Sequence, residues 1–263
     1  MDLLLRALRA APRYLWGGFG ALASLLLLLA AWEALARQLG PLALPPPAEA
    51  AAALQRVAES GVLYEQLAVS ARRAQIGLAL AVALGTGLGL LAGLSAGAAL
   101  AARPLVTVML GTPPIAWLVL ALLWFGAGDG TPVFTVFIAC LPVVFGAALQ
   151  GTRTLDGQLR EMARACRLPW HMTLAEVYGP HVLAYVFPAW ITALGQAWKV
   201  VVMAELLASA DGVGAALAVA RSQLDSAATL AWIGALVAVL LALEYGLLEP
   251  VKRELERWRG AAP

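Results

Sequence analysis

Glu161–Pro180 (EMARACRLPWHMTLAEVYGP) gathers charge inside a chain that is otherwise strongly apolar. Arg160, Glu161, Arg164 and Arg167 fall within eight positions, where they can make charge-assisted hydrogen bonds to the surface of another protein. Pro169 begins a helix readily but cannot sit inside one. The spacing therefore predicts a short helix from about Leu155 to Cys166, with Arg160 and Arg164 on one face and Glu161 beside them. A break near Arg167–Pro169 follows, and the segment closes at Val177-Tyr178-Gly179-Pro180. The chemistry of such a segment is docking. The plainer reading is a basic loop that obeys the positive-inside rule.

Lys199 is the second unusual charge, being the only lysine within any apolar stretch. A charge at the bilayer centre costs roughly 2.5–3.5 kcal/mol even on the lenient insertion scale, so such a residue faces a cavity or a partner charge. Two readings stand. Lys199 lines a cavity and attracts an anion, or it is neutralised by Glu205 of a neighbouring chain or by helix carbonyls. Within one helix Glu205, six residues on, faces another direction. Pro113 and Pro114 fall mid-span, and each removes a donor and clashes with the carbonyl four residues back, at Met109 and Leu110. Broken backbone at membrane depth is tolerated in protein or beside a wet cavity, so a packing kink and a pathway lining both fit. Thr112 can satisfy a freed carbonyl. Trp117, Trp190 and Trp198 lie deep, where core packing is the default.

Other chemistry finds no footing. His171 and His181 are ten residues apart, which is no metal spacing. Cys140 and Cys166 offer neither a disulfide framework nor a paired-thiol site. No G-x4-G-K-[ST] occurs, so the chain cannot form a P-loop. There is no Ser/His/Asp array, no HExxH and no pair of intramembrane carboxylates.

The elements that carry these residues are membrane helices. The 263-residue chain is 62% hydrophobic and 13% charged, with a mean hydropathy of +0.81, well above a soluble domain. Six stretches are long enough to span, at about 15–36, 74–95, 104–125, 132–151, 182–208 and 228–248. The first could be a signal peptide, but its apolar length favours a retained helix. With the N-terminus inside, Arg6, Arg9, Arg13, Arg103, Arg153, Arg160, Arg164, Arg167, Lys252, Arg253, Arg257 and Arg259 fall on the cytoplasmic side, twelve of eighteen basic residues. Arg37, Arg56, Arg72, Arg73 and Arg221 fall outside, which places both termini in the cytoplasm. Outside lie a short amphipathic helix near Ala48–Ser60, a tight turn at Gly126–Thr131, and a helix after Gly212 with Val213, Leu217 and Leu224 on one side. Gly77, Ala81, Gly85, Gly89 and Gly93 recur every fourth position, a stripe that lets another helix approach closely. The net charge of +2 gives no reason to expect nucleic acid.

Glu161, Ala163 and Pro180, with Val177 in place of Ile, resemble the EAA loop (E-A-A-x3-G-x9-I-x-L-P) of ABC importer permeases. Met162, Arg167 and Gly179 depart from it, and Arg167 stands where that pattern has Gly. Leu78–Gly93, Gly111-Thr112-Pro113-Pro114-Ile115-Ala116-Trp117, Leu123-Trp124-Phe125-Gly126 and Ala197-Trp198…Ala204-Glu205 are similar to the nitrate/sulfonate/taurine group. The resemblance implies an all-α type I importer fold of six transmembrane helices: an N-terminal helix with its outer linker (1–66), a five-helix core (67–250) with its coupling loop (153–180), and a cytoplasmic tail (251–263). It further implies a bacterial inner-membrane permease that is not an enzyme and binds no cofactor directly, ATP and Mg being used by two partner ATPase subunits. A second permease copy, as a homodimer, and an extracytoplasmic solute-binding protein complete the complex. ATPase coupling falls to Arg160, Glu161, Ala163, Arg164, Arg167, Pro169 and Pro180. The translocation pathway falls to Thr112, Pro113, Pro114, Trp117, Trp198, Lys199 and Glu205. The solute is expected to be a small anion such as nitrate, a sulfonate or bicarbonate. A lipid-handling ABC permease and a stand-alone secondary transporter are the rivals.

Overall fold

The computed structural model describes residues 23–250, and among them all regular structure is helical. The described part of α1 covers 23–39, so the expected first span lies partly, and the C-terminal tail wholly, outside the described residues. The amphipathic helix α2 (Pro47–Glu59) forms as expected, with proline at its start. Then come α3 (Val62–Gly93), α4 (Ala96–Gly111), α5 (Pro114–Phe125), α6 (Gly130–Arg153), α7 (Gly157–Ala165), α8 (Trp170–Ala208), α9 (Val213–Ser222) and α10 (Ser226–Leu243). Four helices are long and apolar enough to cross a membrane, or five if α4 and α5 count as one broken span.

The glycine stripe sets the packing. A Cβ on Gly77 would lie 2.7 Å from the Val133 carbonyl oxygen, and one on Gly89 would lie 2.5 Å from that of Phe145. Gly85 meets Val144, and Gly93 meets Thr152. The helix admitted by the stripe is therefore α6 of the same chain. Val136, Cys140, Val144 and Ala148 of α6 then join Val182, Val186, Ala197 and Val201 of α8 in the main core.

Three expected boundaries need correction. The second span begins at Val62 rather than 74, so Arg72 and Arg73 sit inside α3 and not in an outer loop. Arg73 is 2% exposed and ion-paired, which is why two adjacent cations do not interrupt the helix. The third span is two helices that meet at 92°. Gly111 ends α4, Thr112 and Pro113 are extended, and Pro114 starts α5, because two successive prolines supply no donors to continue the ladder. The expected fifth span starts twelve residues earlier, at Trp170, so half of the polar segment is the base of α8. In addition, Leu224 lies beyond α9 with φ 58° and is exposed, so it does not share a face with Val213.

Candidate functional site

The elbow between α7 and α8 is built by the residues of the polar segment. Asp156 caps α7 by accepting from the Gln158 N–H at 3.0 Å. At the far end the Leu168 N–H donates to the Ala163 carbonyl and the Arg167 N–H to that of Arg164, both at 3.0 Å. This pair of bonds is a Schellman ending, which needs a left-handed residue. Arg167 supplies it at φ 51°, where glycine would be unstrained. Pro169 then flanks α8 in extended conformation. Proline thus sets the new helix, while the turn itself falls on Arg167.

Leu155, Ala163 and Val177 are buried together, with Leu168 and Tyr178 against them. That small cluster packs the inner side of the elbow. Arg160, Glu161, Arg164 and Arg167 are exposed, as are Leu159, Met162, Met172 and Trp170, the last at 78%. Arg160 donates to the Leu155 carbonyl at 2.8 Å, and Glu161 has no ion-pair partner among the described residues. Thr173–Tyr178 is wound as a π-helix, with the Gly179 N–H bonded to the Leu174 carbonyl five residues back. Pro180 has no N–H to give, and the wider turn absorbs that gap within α8. His181 contacts the Thr154 hydroxyl at 3.3 Å, and exposed His171 packs edge-on to Trp170.

The other candidate residues divide in two. Thr112 donates through Oγ1 to the Val108 carbonyl at 2.7 Å, one residue short of the first carbonyl freed by Pro113 and Pro114, so it satisfies neither. Trp198 is buried in the core and Trp117 is half-buried, and the indole N–H of each lacks a partner among the described residues. Lys199 is exposed on α8, with no ion-pair partner among the described residues. Glu205 is fully buried in its own chain. One of its carboxylate oxygens accepts from Arg73 at 3.0 Å, and the other from Ser70 at 2.6 Å and the Gly214 N–H at 3.1 Å. Its oxygens are thus taken up within its own chain, which leaves helix carbonyls as the neutralising alternative for Lys199.

Arg73 is the residue that sequence reasoning missed. Its Nε donates to Asp129 at 2.7 Å, and one terminal nitrogen donates to Glu205 at 3.0 Å and the Asp211 carbonyl at 2.8 Å. The other terminal nitrogen bonds both Asp129 and Asp211, so all five donors are used. Arg72 adds a bond to Asp129 at 2.9 Å. The guanidinium of Arg73 holds the Asp129 carboxyl below the usual carboxylate range. Gly212, at φ 96°, and Gly214 bring the start of α9 directly onto Glu205, where any side chain would collide. One arginine thus ties α3, the turn before α6, α8 and α9 together. The available signal was an arginine pair one turn before the glycine stripe and a lone glutamate in a span.

Known proteins are similar to this chain in sequence. Residues 85–248 match the family described as binding-protein-dependent transport system inner membrane component. A putative aliphatic sulfonates transport permease protein of Bacillus subtilis is 29% identical over 218 residues, covering 83% of this chain and 79% of that protein. The taurine transport system permease protein of Escherichia coli is 28% identical over 247 residues, covering 91% and 90%. A nitrate import permease protein of Synechococcus elongatus is 27% identical over 150 residues, covering 57% and 53%. The chain belongs to the binding-protein-dependent transport system inner membrane component family and is a multi-pass permease of ABC-transporter type.

Proposed function

We propose that, as a member of this family, the chain passes a small anion through the membrane, driven by ATP hydrolysed on separate subunits. The anion is of the sulfonate, taurine or nitrate class carried in the names of its relatives. An extracytoplasmic binding protein delivers it, and a second copy of the chain completes the pathway. Two ATPase subunits, which hold the ATP and Mg, bind one elbow each from the cytoplasm.

The observation that carries the reading is the α7–α8 elbow. Ala163 and Val177 anchor it inward, while Arg160, Glu161, Arg164, Arg167 and Trp170 face out. A charged and apolar surface standing on the base of a 39-residue helix is suited to receive force from a soluble partner. Pro180 and the π turn sit between that surface and the span. Lys199 marks the anion path, since an unpaired cation at this depth in lipid is costly unless the face is wet. Thr112, Pro113, Pro114, Trp117 and Trp198 lie near that path on the broken span and on α8. Glu205 holds it at its outer end through Arg73.

Reconstituted with its ATPase and binding protein in vesicles, the wild type accumulates solute only with ATP. Charge reversal at Glu161 and Arg164 weakens ATPase association by roughly thirtyfold, as removing one partner of an interfacial charge pair does. Uptake falls with it, and the thermal stability of the permease stays unchanged. Accumulation by the chain without any ATPase would overturn the reading.

A further inference from the structure

We propose that the start of α10 carries a binding site for one phospholipid, with Arg221 holding the phosphate and the leucines around it holding the first part of the acyl chains. The site stands at the end of the bundle opposite the α7–α8 elbow and is independent of which solute is carried.

A pocket of about 250 Å³ lies between the turn that follows α1 and the turn that joins α9 to α10. The two turns are tied together, since the Ser226 hydroxyl donates to the Leu42 carbonyl at 2.5 Å. The Trp32 indole donates to the Pro45 carbonyl at 3.0 Å and pins the first turn to α1. An indole at the end of an apolar helix is the usual anchor at a membrane interface. α10 begins at Ser226 and is part of a helix long and apolar enough to cross a membrane. The pocket therefore opens at the level where headgroups meet hydrocarbon.

The lining is graded from charge to hydrocarbon. Arg221 is exposed and has no ion-pair partner among the described residues. The neighbouring Asp225 is engaged in capping α10, accepting from the Ala228 N–H at 2.8 Å. The Thr229 hydroxyl is given to the Asp225 carbonyl at 2.8 Å, as that of Ser226 is to Leu42. Arg221 is thus the side chain of the lining with donors to spare, and its planar fork suits a phosphate. Leu44 and Leu230 are half-buried in the same pocket, and Leu230 lies about 6 Å of helix rise below Ser226. Leu42 is 83% exposed and Leu224 79%. Leu224 ends α9 in a Schellman turn, its N–H bonded to the Arg221 carbonyl and that of Asp225 to the Ala220 carbonyl, both at 3.1 Å. Its φ is 58°, where glycine would be unstrained. An exposed leucine at that position brings nothing to the fold, whereas an acyl chain laid against it removes its surface from water. A free phosphate ion would use Arg221 and leave the leucines wet. A diacylglycerol would cover the leucines and leave Arg221 unpaired. A phospholipid satisfies both.

The test offers the full chain, stripped of lipid in mild detergent, equal amounts of dioleoylphosphatidylglycerol and dioleoylglycerol, and counts bound lipid by native mass spectrometry. The wild type retains the phospholipid in preference to the phosphate-free lipid, and glycerol phosphate does not displace it. Arg221→Gln lowers phospholipid retention by about tenfold, the size expected for a lost hydrogen bond to a charged group. Leu224→Gly, which suits the left-handed turn, lowers it by less and decides the matter if Arg221→Gln does not fold. Equal retention of the two lipids, or retention unchanged in the folded variants, overturns the inference. Displacement by glycerol phosphate overturns it too, since the site would then take a free anion. A last arm measures the affinity of the complete importer for its binding protein. If Arg221→Gln weakens that affinity and leaves lipid retention alone, the surface belongs to the binding protein and the lipid site falls.

Discussion

The two ends of the bundle treat charge in opposite ways. At the Asp129 end, Arg73 and Glu205 are buried and every donor of the guanidinium is used within the chain. At the α7 end, Arg160, Glu161, Arg164 and Arg167 stand on the surface above a cluster of only a few apolar side chains. A satisfied buried network rigidifies what it joins, whereas exposed charges add little stability of their own. The first end holds four elements in one arrangement, while the second leaves its charged side chains exposed.

The sharpest way to break this contrast is to remove the buried cation. Arg73→Met strands Glu205 and should cost about 3–5 kcal/mol, read as a lowered midpoint of thermal unfolding in detergent. Removing both partners, Arg73→Met with Glu205→Met, should cost less than the sum of the single changes. Filling the glycine stripe tests the packing between the two ends. Gly89→Val pushes α3 off the Phe145 carbonyl and should cost about 1–3 kcal/mol, measured in the same way. A smaller effect is expected at Arg167. Arg167→Gly relieves a left-handed side-chain residue and should stabilise the elbow by about 1 kcal/mol, seen as slower amide exchange across α7. The smallest concerns acid. Since Asp129 titrates below its unfolded value, its contribution is present above the ordinary carboxylate range and is lost as pH falls through the lower folded value. An acid unfolding series should show that loss in the wild type and less of it in Arg73→Met, where Arg72 still pairs with Asp129.

These predictions rest on features of unequal visibility in the amino-acid order. The glycine stripe was plain because four-residue spacing is a local pattern, yet only the structure shows that α6 is what fills it. The short helix α7 was legible from its charges and Pro169, and its cap at Asp156 only from the structure. Its left-handed turn was not, because Arg167 gives no hint of positive φ. The paired prolines announced a break, but the 92° angle depends on how α5 packs through Leu118 against Ala204 and Ala208. The Arg73 network was hidden most deeply. Its partners lie 56, 132 and 138 positions away, and no periodicity connects residues so far apart.

α8 runs without interruption from Trp170 to Ala208, roughly 58 Å of helix. A rod of that length is stiff along its axis. A thrust applied beside Trp170 is carried toward Ala208, and the rod can yield at the slack winding of Thr173–Tyr178 and at Pro188, where the ladder loses a bond. Sliding at one membrane face and at the other are in that sense a single displacement, seen from its two termini.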